Sequence, residues 1–414
     1  MHFNLRDFFV YKISHITFVF AVYPILMNID QIRKDTLGCS DKIFLNSAGS
    51  SLMPKSVLDK IIDYLKEEEQ FGGYFVANRY ADIIGQFYTE AAKLINAKEQ
   101  NIAFANSATD AYAKALSSIP FKSGDSIITT DDDYVSNQIA LISLKKRLNI
   151  RIHRIKKLAN LEIDLDDLEL LIKKHQPKLV AVTHIPTNSG LIQNVEAVGK
   201  ICQAHDILYM VDACQSVGQL VVDVQQIKCD FLTATGRKFL RGPRGTGFLF
   251  VSDKALQLQL APLTLDMKDA TWTSFDDFEL GKTAKRFEFW EQPCASIVGL
   301  TEAIRYANNI GLPNIQNYNQ VLSGKLRALL AENTSLRVLD EGIRLSSIVT
   351  FHHQKMNLTE LQQLLSQNNI YYSVSHKSSA LIDFTHKNVD WALRLSPHYF
   401  NTVQEIEKVA AILA

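Results

Sequence analysis

From Pro54 to about Asp253 long amphipathic segments alternate with short apolar runs, and this rhythm narrows the possible folds more than any other feature of the chain. Ser126–Thr130, Arg151–Ile155, Lys178–His184, Ile207–Asp212 and Phe231–Thr235 read as strands, and Asp164–His175 and Val195–His205 read as helices between them. Pro54 opens an earlier helix with Val57, Ile61, Ile62 and Leu65 on one face. Parallel strands need a crossover connection, and a helical crossover covers one face of the sheet. The rhythm therefore predicts an α/β chain with a mostly parallel sheet between helices.

After Gly311-Leu312-Pro313 the pattern changes. A helix over about Ile315–Leu330 precedes strands at Arg344–Phe351, Ile370–Val374, Leu381–Phe384 and Trp391–Leu395, with helices at Leu358–Gln367 and Thr402–Leu413. This reads as a smaller α+β domain. At 414 residues the chain is too long for one ordinary core. The expected division is a segment 27–53 packing on the small domain, a large domain 54–295 and a small domain 296–414, with the boundary in a helix near Ala295–Asn309.

The first 26 residues stand apart. Ile16–Met27 is a mostly apolar run preceded by Arg6 and Lys12, too short to span a bilayer and without a small-x-small cleavage site. Met27-Asn28-Ile29-Asp30 resembles a protein start, so residues 1–26 are expected to be a non-native or disordered extension. Lys plus Arg and Asp plus Glu both number 44, which leaves no basic excess for nucleic acid or an anionic membrane. The five cysteines form no C-x-x-C pair, so neither a zinc site nor a disulfide framework is expected. Reduced thiols fit a cytoplasmic protein.

Ligands of such sheets bind outside the carboxyl ends of the strands. Three segments there carry polar residues. Tyr209–Asp212 is an apolar strand ending in an acid, which alone could be a solvated terminus or a cap. Phe231–Thr235 runs into Gly236-Arg237-Lys238 and a loop with Gly242, Gly245 and Gly247 beside Arg241 and Arg244, suited to an anion or simply a hairpin with solvated cations. Asn106-Ser107-Ala108-Thr109 opens a helix after Ile102–Ala105, which makes an anion site or a plain N-cap. Together they match pyridoxal phosphate (PLP), which needs an amine for its aldehyde, an acid for its pyridine nitrogen and a nest for its phosphate. No metal site is expected.

From Phe44-Leu45-Asn46-Ser47-Ala48-Gly49 to the C-terminus, and most specifically over Val211–Gly247, the sequence resembles fold-type I PLP enzymes of the class V aminotransferase and cysteine desulfurase-like superfamily. The resemblance implies a seven-stranded large sheet and a Schiff base on Lys238. It implies Asp212 on the pyridine nitrogen, Gln215 and Asn188 near the phenolic oxygen, and Ala108, Thr109 and Thr235 at the phosphate. Arg237 stands where many relatives have a histidine, and as a permanent cation it could still bind phosphate. Tyr134 takes the place of the stacking aromatic. Arg394 matches the arginine on the substrate's α-carboxylate, and Asn46 and Tyr74 are candidates to line the side-chain pocket.

In the family, desulfuration uses a cysteine on a loop upstream of that arginine. Here the region reads Ser373-Val374-Ser375-His376-Lys377-Ser378-Ser379-Ala380-Leu381, and no cysteine follows Cys294. Arg286-Phe287-Glu288-Phe289-Trp290-Glu291 resembles the branch of isopenicillin N epimerase-like proteins and the ergothioneine C–S lyase. The expected function is a C–S (β-elimination) lyase acting on an amino acid; an aminotransferase, an epimerase or a non-catalytic PLP-binding protein are the alternatives. A homodimer is implied, with Gly245-Thr246-Gly247 near the interface. Glu291 or Gln292 stands near the position where relatives offer a threonine to the partner's phosphate.

Overall fold

The computed structural model describes residues 8–13, 16–21 and 27–414. Phe8–Ile13 and Ile16–Ala21 pair antiparallel; the expectation that the native chain starts at Met27 otherwise lies outside the described residues.

The large sheet has seven strands: β1 (Ile102–Ala105), β2 (Ser126–Thr129), β3 (Arg151–Arg154), β4 (Leu179–Thr183), β5 (Leu208–Asp212), β6 (Phe231–Thr235) and β7 (Gly247–Val251). Their order in space is β1-β7-β6-β5-β4-β2-β3. Only β7 runs against the others, antiparallel to both β6 and β1. The Gly-rich loop expected through Gly247 ends there, and Gly247 opens β7, a strand that follows a tight turn rather than a helix. The reversal has one consequence for function. The carboxyl ends of β1, β4, β5 and β6 share one edge, and β7 starts there, with Gly247 opposite both Thr235 and Ala105.

Alternate residues along the strands enter two separate cores, one on each face. Ala181, Met210, Phe231 and Leu249 pack with Tyr112, Leu116 and Leu141. Val182, Val211, Leu232 and Phe248 pack with Leu168, Ile172, Val198 and Cys202. With both faces covered, the central strands read as unbroken apolar runs. The charges of Arg151 and Arg154 are tolerated because β3 is an edge strand.

Helix α1 (Cys294–Ile310) packs on the helices Lys55–Phe71 and Ala81–Ile95. Gly311 ends it at φ 88°, and α2 (Leu312–Glu332) leads into the small domain. That domain holds four antiparallel strands, β8 (Leu336–Val338), β9 (Val349–His353), β10 (Ser373–His376) and β11 (Trp391–Leu395), in the order β8-β9-β11-β10.

Two expectations need correction here. Leu381–Phe384, expected as a strand, lies in the helix Leu381–His386. Its reason is a helical pair: Lys387 meets Asp383 at 2.9 Å, one turn apart, both buried. Ile370–Val374 is not one strand either. Ile370–Tyr371 pairs with Ile43–Phe44 of the N-terminal segment, while Ser373 onward pairs with β11.

The N-terminal segment is thereby tied to the small domain. Leu45 N–H donates to Tyr371 O (2.9 Å), Ser396 N–H donates to Leu45 O (2.7 Å), and Arg33 pairs with Glu405 at 2.9 Å. This tie brings Asn46–Gly49 to the end of β11, beside Arg394.

Candidate active site

Lys238 sits in a turn closed by short backbone bonds. Gly236 N–H donates to Thr246 O (2.9 Å), Gly242 N–H to Gly236 O (2.8 Å) and Arg241 N–H to Lys238 O (2.9 Å). Only glycine fits at 236, since a Cβ would lie 2.3 Å from Thr246 Oγ. The Lys238 ammonium is buried, 6.0 Å from the centre of the Tyr134 ring. Tyr134 immediately precedes helix α3 (Val135–Leu148), which positions it over the strand ends.

Asp212 ends β5 as a buried carboxylate. Asn137 Nδ2 donates to its Oδ2 (2.7 Å) and Cys214 N–H to its Oδ1 (2.9 Å). Burial pushes the Cys214 thiol above its ordinary value, while the nearby Lys238 charge pulls it down. Beside this carboxylate lies a second buried acid, Asp133. It accepts from Thr130 Oγ (3.0 Å), Thr183 N–H (2.9 Å) and Thr129 Oγ, and burial raises it to about 6 against those donors.

Gln215 links the strand edge to the N-terminal segment. Its Nε2 donates to Ala48 O (3.1 Å) and Thr187 Oγ (3.2 Å), while its Oε1 is buried without a partner among the described residues. Arg394 Nη1 donates to Thr187 O (3.2 Å), and its buried Nε likewise has none. Burial lowers Arg394 to about 10; Arg237's charge adds to the fall and Tyr134 opposes it. Asn46 bridges to Ser396 beside Arg394, with Oδ1 buried and without a partner among the described residues. Lys238, Tyr134, Asp212, Gln215, Arg237, Arg394 and Asn46 thus face one region between the sheet edge and the small domain.

Ser107 caps α4 (Ala108–Ser117), accepting from Asp110 N–H at 3.1 Å, with Thr109 exposed at the helix start. A Cβ on Gly247 would lie 2.3 Å from Ala234 O and 3.2 Å from the Ser107 carbonyl carbon, so glycine lets β7 run beneath this helix start. The free amides there face the same edge as Lys238.

Other expected residues are placed differently. Thr235 Oγ donates to Thr246 O (3.3 Å), which directs its proton along the sheet. Asn188 Nδ2 donates to Ser379 O (3.4 Å), toward the loop of the small domain. Tyr74 is 82% exposed on the helix Gly73–Arg79 and is not drawn into the cluster. Arg241 is neither solvated nor placed for an anion. It is fully buried, its Nε donates to Leu52 O (2.8 Å), and its guanidinium lies 4.9 Å from the rings of both Tyr399 and Phe400. Glu288 of the Arg286–Glu291 motif accepts from Phe104 N–H (2.7 Å) and Tyr88 OH (3.0 Å), which makes it an anchor of β1.

Sequence reasoning missed Asn137 and Thr187. Asn137 lies three residues beyond Tyr134, on the same face of one helical turn, and that spacing was the available signal.

The buried lysine, the buried acid on the neighbouring strand end and the helix start fit an aldehyde, a pyridinium nitrogen and a phosphate. The orphaned Gln215 Oε1 and Arg394 Nε are polar atoms that a bound molecule would satisfy. Residues 43–409 match the family model described as Aminotransferase class-V. The chain belongs to that family. This class-V protein is a PLP-dependent enzyme with an α/β fold. A "Probable cysteine desulfurase" of Methanothermobacter thermautotrophicus is 28% identical over 397 residues, covering 94% of this chain and 98% of the relative. The apo structure of a cysteine desulfurase from Thermococcus onnurineus NA1 superposes with TM-score 0.85 at 25% identity, covering 94% and 98% of the two chains. A C-DES variant with glycine covalently linked to its PLP cofactor has the same fold, with TM-score 0.82 at 20% identity over 92% of this chain and 98% of that one. These similarities single out neither the epimerase-like nor the ergothioneine-lyase branch of the superfamily.

Proposed function

We propose that this class-V enzyme is a lyase that cleaves the C–S bond of a sulfur-containing amino acid by β-elimination at Lys238. The observation that carries the reading is the set of Lys238, Asp212 and Arg394 around one region next to a loop that bears no thiol. The relatives' names supply the C–S bond as the target. The segment Ser373–Leu381, from β10 to the next helix, approaches the site through the Asn188–Ser379 bond, and its polar side chains are serines, His376 and Lys377. Cys214 is the thiol beside Lys238, and desolvation raises its pKa against the pull of the Lys238 charge, which disfavours the nucleophilic thiolate. Sulfur would therefore leave as a thiol or persulfide of the substrate rather than on an enzyme cysteine.

Bound PLP supplies an aldehyde for the substrate amine and a ring that accepts electrons released at Cα. The chain's residues do the rest. Lys238 Nζ would hold the aldehyde between turnovers and would accept the Cα proton. Asp212, fixed by Asn137 and the Cys214 amide, would keep a proton on the pyridine nitrogen. Arg394 would grip the α-carboxylate, Tyr134 would lend a flat face, and the amides of Ala108 and Thr109 would receive the phosphate. As the C–S bond breaks, its electron pair leaves with sulfur. The remaining fragment hydrolyses to pyruvate and ammonia.

The reading includes a homodimer in the cytoplasm. Among the described residues no helix is long and apolar enough to cross a membrane. A partner would cover apolar side chains left in water, among them Phe275 at 96% exposure and Trp272 at 77% on one hairpin. Sedimentation of the holoenzyme as a monomer at working concentration would remove the dimer.

The test is product analysis on the holoenzyme with cysteine, cystine and S-conjugated cysteines. Equal yields of pyruvate and ammonia, lost in Lys238→Ala, are expected. A keto acid retaining sulfur would make the enzyme a transaminase, and an inverted substrate an epimerase.

A further inference from the structure

Four charges alternate across the joint between the two domains: Asp132, Lys157, Asp383 and Lys387. Lys157 Nζ lies 3.5 Å from Asp132 Oδ2 and 3.9 Å from Asp383 Oδ1, and Lys387 Nζ lies 2.9 Å from Asp383 Oδ2. All four side chains are nearly out of water, Lys157 the most exposed at 11%. The first two stand in the loops after β2 and β3 of the large domain. The last two belong to the helix Leu381–His386 and its C-cap in the small domain. Apolar residues of similar volume would hold such a joint as firmly, because each buried charge first loses its water. What a chain of ion pairs adds is a fixed partner for each charge, and so one docking of the helix rather than several.

Both ends of this chain stand next to the site. Asp132 comes two residues before Tyr134, whose ring centre is 6.0 Å from the Lys238 ammonium. Asp383 lies in the helix that follows the segment Ser373–Leu381, and that segment borders Arg394 twice. Ser373 pairs with Arg394 across β10 and β11, and Ser379 O accepts from Asn188, the neighbour of the Thr187 whose carbonyl Arg394 holds. Phe384 packs the helix on Leu339, Val389 and Ala392 of its own domain. Toward the large domain, two polar contacts tie the stretch 373–387 among the described residues: Asn188 with Ser379, and Lys157 with Asp383. Without Lys157 two acids, Asp132 and Asp383, would be left on either side of a joint that excludes most water, where like charges repel strongly.

We propose that Lys157 is a positioning residue: by bridging Asp132 to Asp383 it holds the segment Ser373–Leu381 in place beside Arg394 and so limits access to Lys238. It acts through that segment and touches no reacting atom. The proposal rests on the placing of the site around Lys238, and not on which bond the enzyme breaks.

Lys157→Met keeps much of the side chain's length and removes its charge. Hydrogen exchange on the PLP-loaded protein should then show residues 377–387 losing protection by about tenfold, with β4 and β5 unchanged. Hydroxylamine, a small nucleophile that attacks bound PLP, should discharge the cofactor's absorbance about fivefold faster, since the segment no longer limits its approach. Lys157→Arg should restore both readings. Asp383→Asn cuts the bridge from the other side while leaving an amide oxygen for Lys387. It should reproduce both changes, and the double variant should add little to either single one. Where Lys157→Met does not fold, Asp383→Asn decides alone. Unchanged protection of 377–387 in the folded variants overturns the proposal. So does a loosened segment with an unaltered hydroxylamine rate, because Lys157 would then brace the small domain without governing access. Absence of turnover with every amino acid would count against the lyase reading alone, because both readings are taken without substrate.

Discussion

Asn137 Nδ2 lies 2.7 Å from Asp212 Oδ2, joining the first turn of α3 to the end of β5. The bond fixes the orientation of the Asp212 carboxylate, as a partner of the pyridine nitrogen proposed above would need. Removing the amide should cost about 1.5–3 kcal/mol of carboxylate stabilisation. Asn137→Ala should then lower kcat/KM by about tenfold or more while the fold stays intact. Asn137→Asp should do more damage, because a second carboxylate would compete for the same proton. Steady-state kinetics with a pH titration of the cofactor's absorbance separates this from a packing role, which would move the melting temperature and leave the titration alone.

Arg394 should behave as a substrate-binding group. Arg394→Lys replaces a fork by a point charge, so kcat/KM should fall by about one to two orders of magnitude with cofactor binding unchanged. Arg394→Ala should be worse. Normal kinetics in a well-folded Arg394→Ala protein would take this arginine out of the site.

His184 makes the fold sensitive to acid. Burial lowers its pKa to about 3, with Arg344's charge adding to the fall, whereas an unfolded histidine titrates near 6.5. Between those values the unfolded chain binds the extra proton, so stability is full above about pH 6.5 and is lost as pH falls toward 3. His184→Gln should flatten the urea midpoint against pH over that window. A variant curve parallel to that of the wild type would show that His184 does not set it.

Arg241 should matter to stability rather than to the cofactor. It is fully buried at φ 62°, a conformation that favours glycine, and the stacking on Tyr399 and Phe400 outweighs that preference. Arg241→Ala leaves a cavity and the unpaired acceptor Leu52 O, which should cost about 3 kcal/mol or more in urea unfolding. Arg241→Met fills part of the space and should cost less. A loss of PLP affinity at unchanged stability would instead place Arg241 at the phosphate.

Much of the large domain was legible because its strands are buried on both faces and its helices on one, so their apolar spacing is written along the chain. Phe231–Thr235 and Trp391–Leu395 match the sequence reading residue for residue. Leu381–Phe384 was misread because four residues with three apolar ones fit either element, and the Asp383–Lys387 pair that settles the helix is a spacing of four with only one member inside the run. Tyr74 as a candidate for the side-chain pocket, and Arg241 as a cation of an anion loop or of a solvated hairpin, rest on residue type, and type says nothing about which way a side chain faces.

The sequence by itself determined the alternation of strands and helices, and the order helix start, acid and lysine that makes a PLP site recognisable. These are local facts, set by spacing and by which residues end each strand. Only the tertiary structure decided that Asn137 serves Asp212, that β7 turns back to bring Gly247 under Ser107, and that the segment around Gly49 crosses to the small domain and meets Arg237. Each of those contacts joins residues from separate elements, 75 positions apart for Asn137 and Asp212 and 188 for Gly49 and Arg237. Such pairings carry no periodicity to read, because they are fixed by how the layers close on one another rather than by any local preference of the chain.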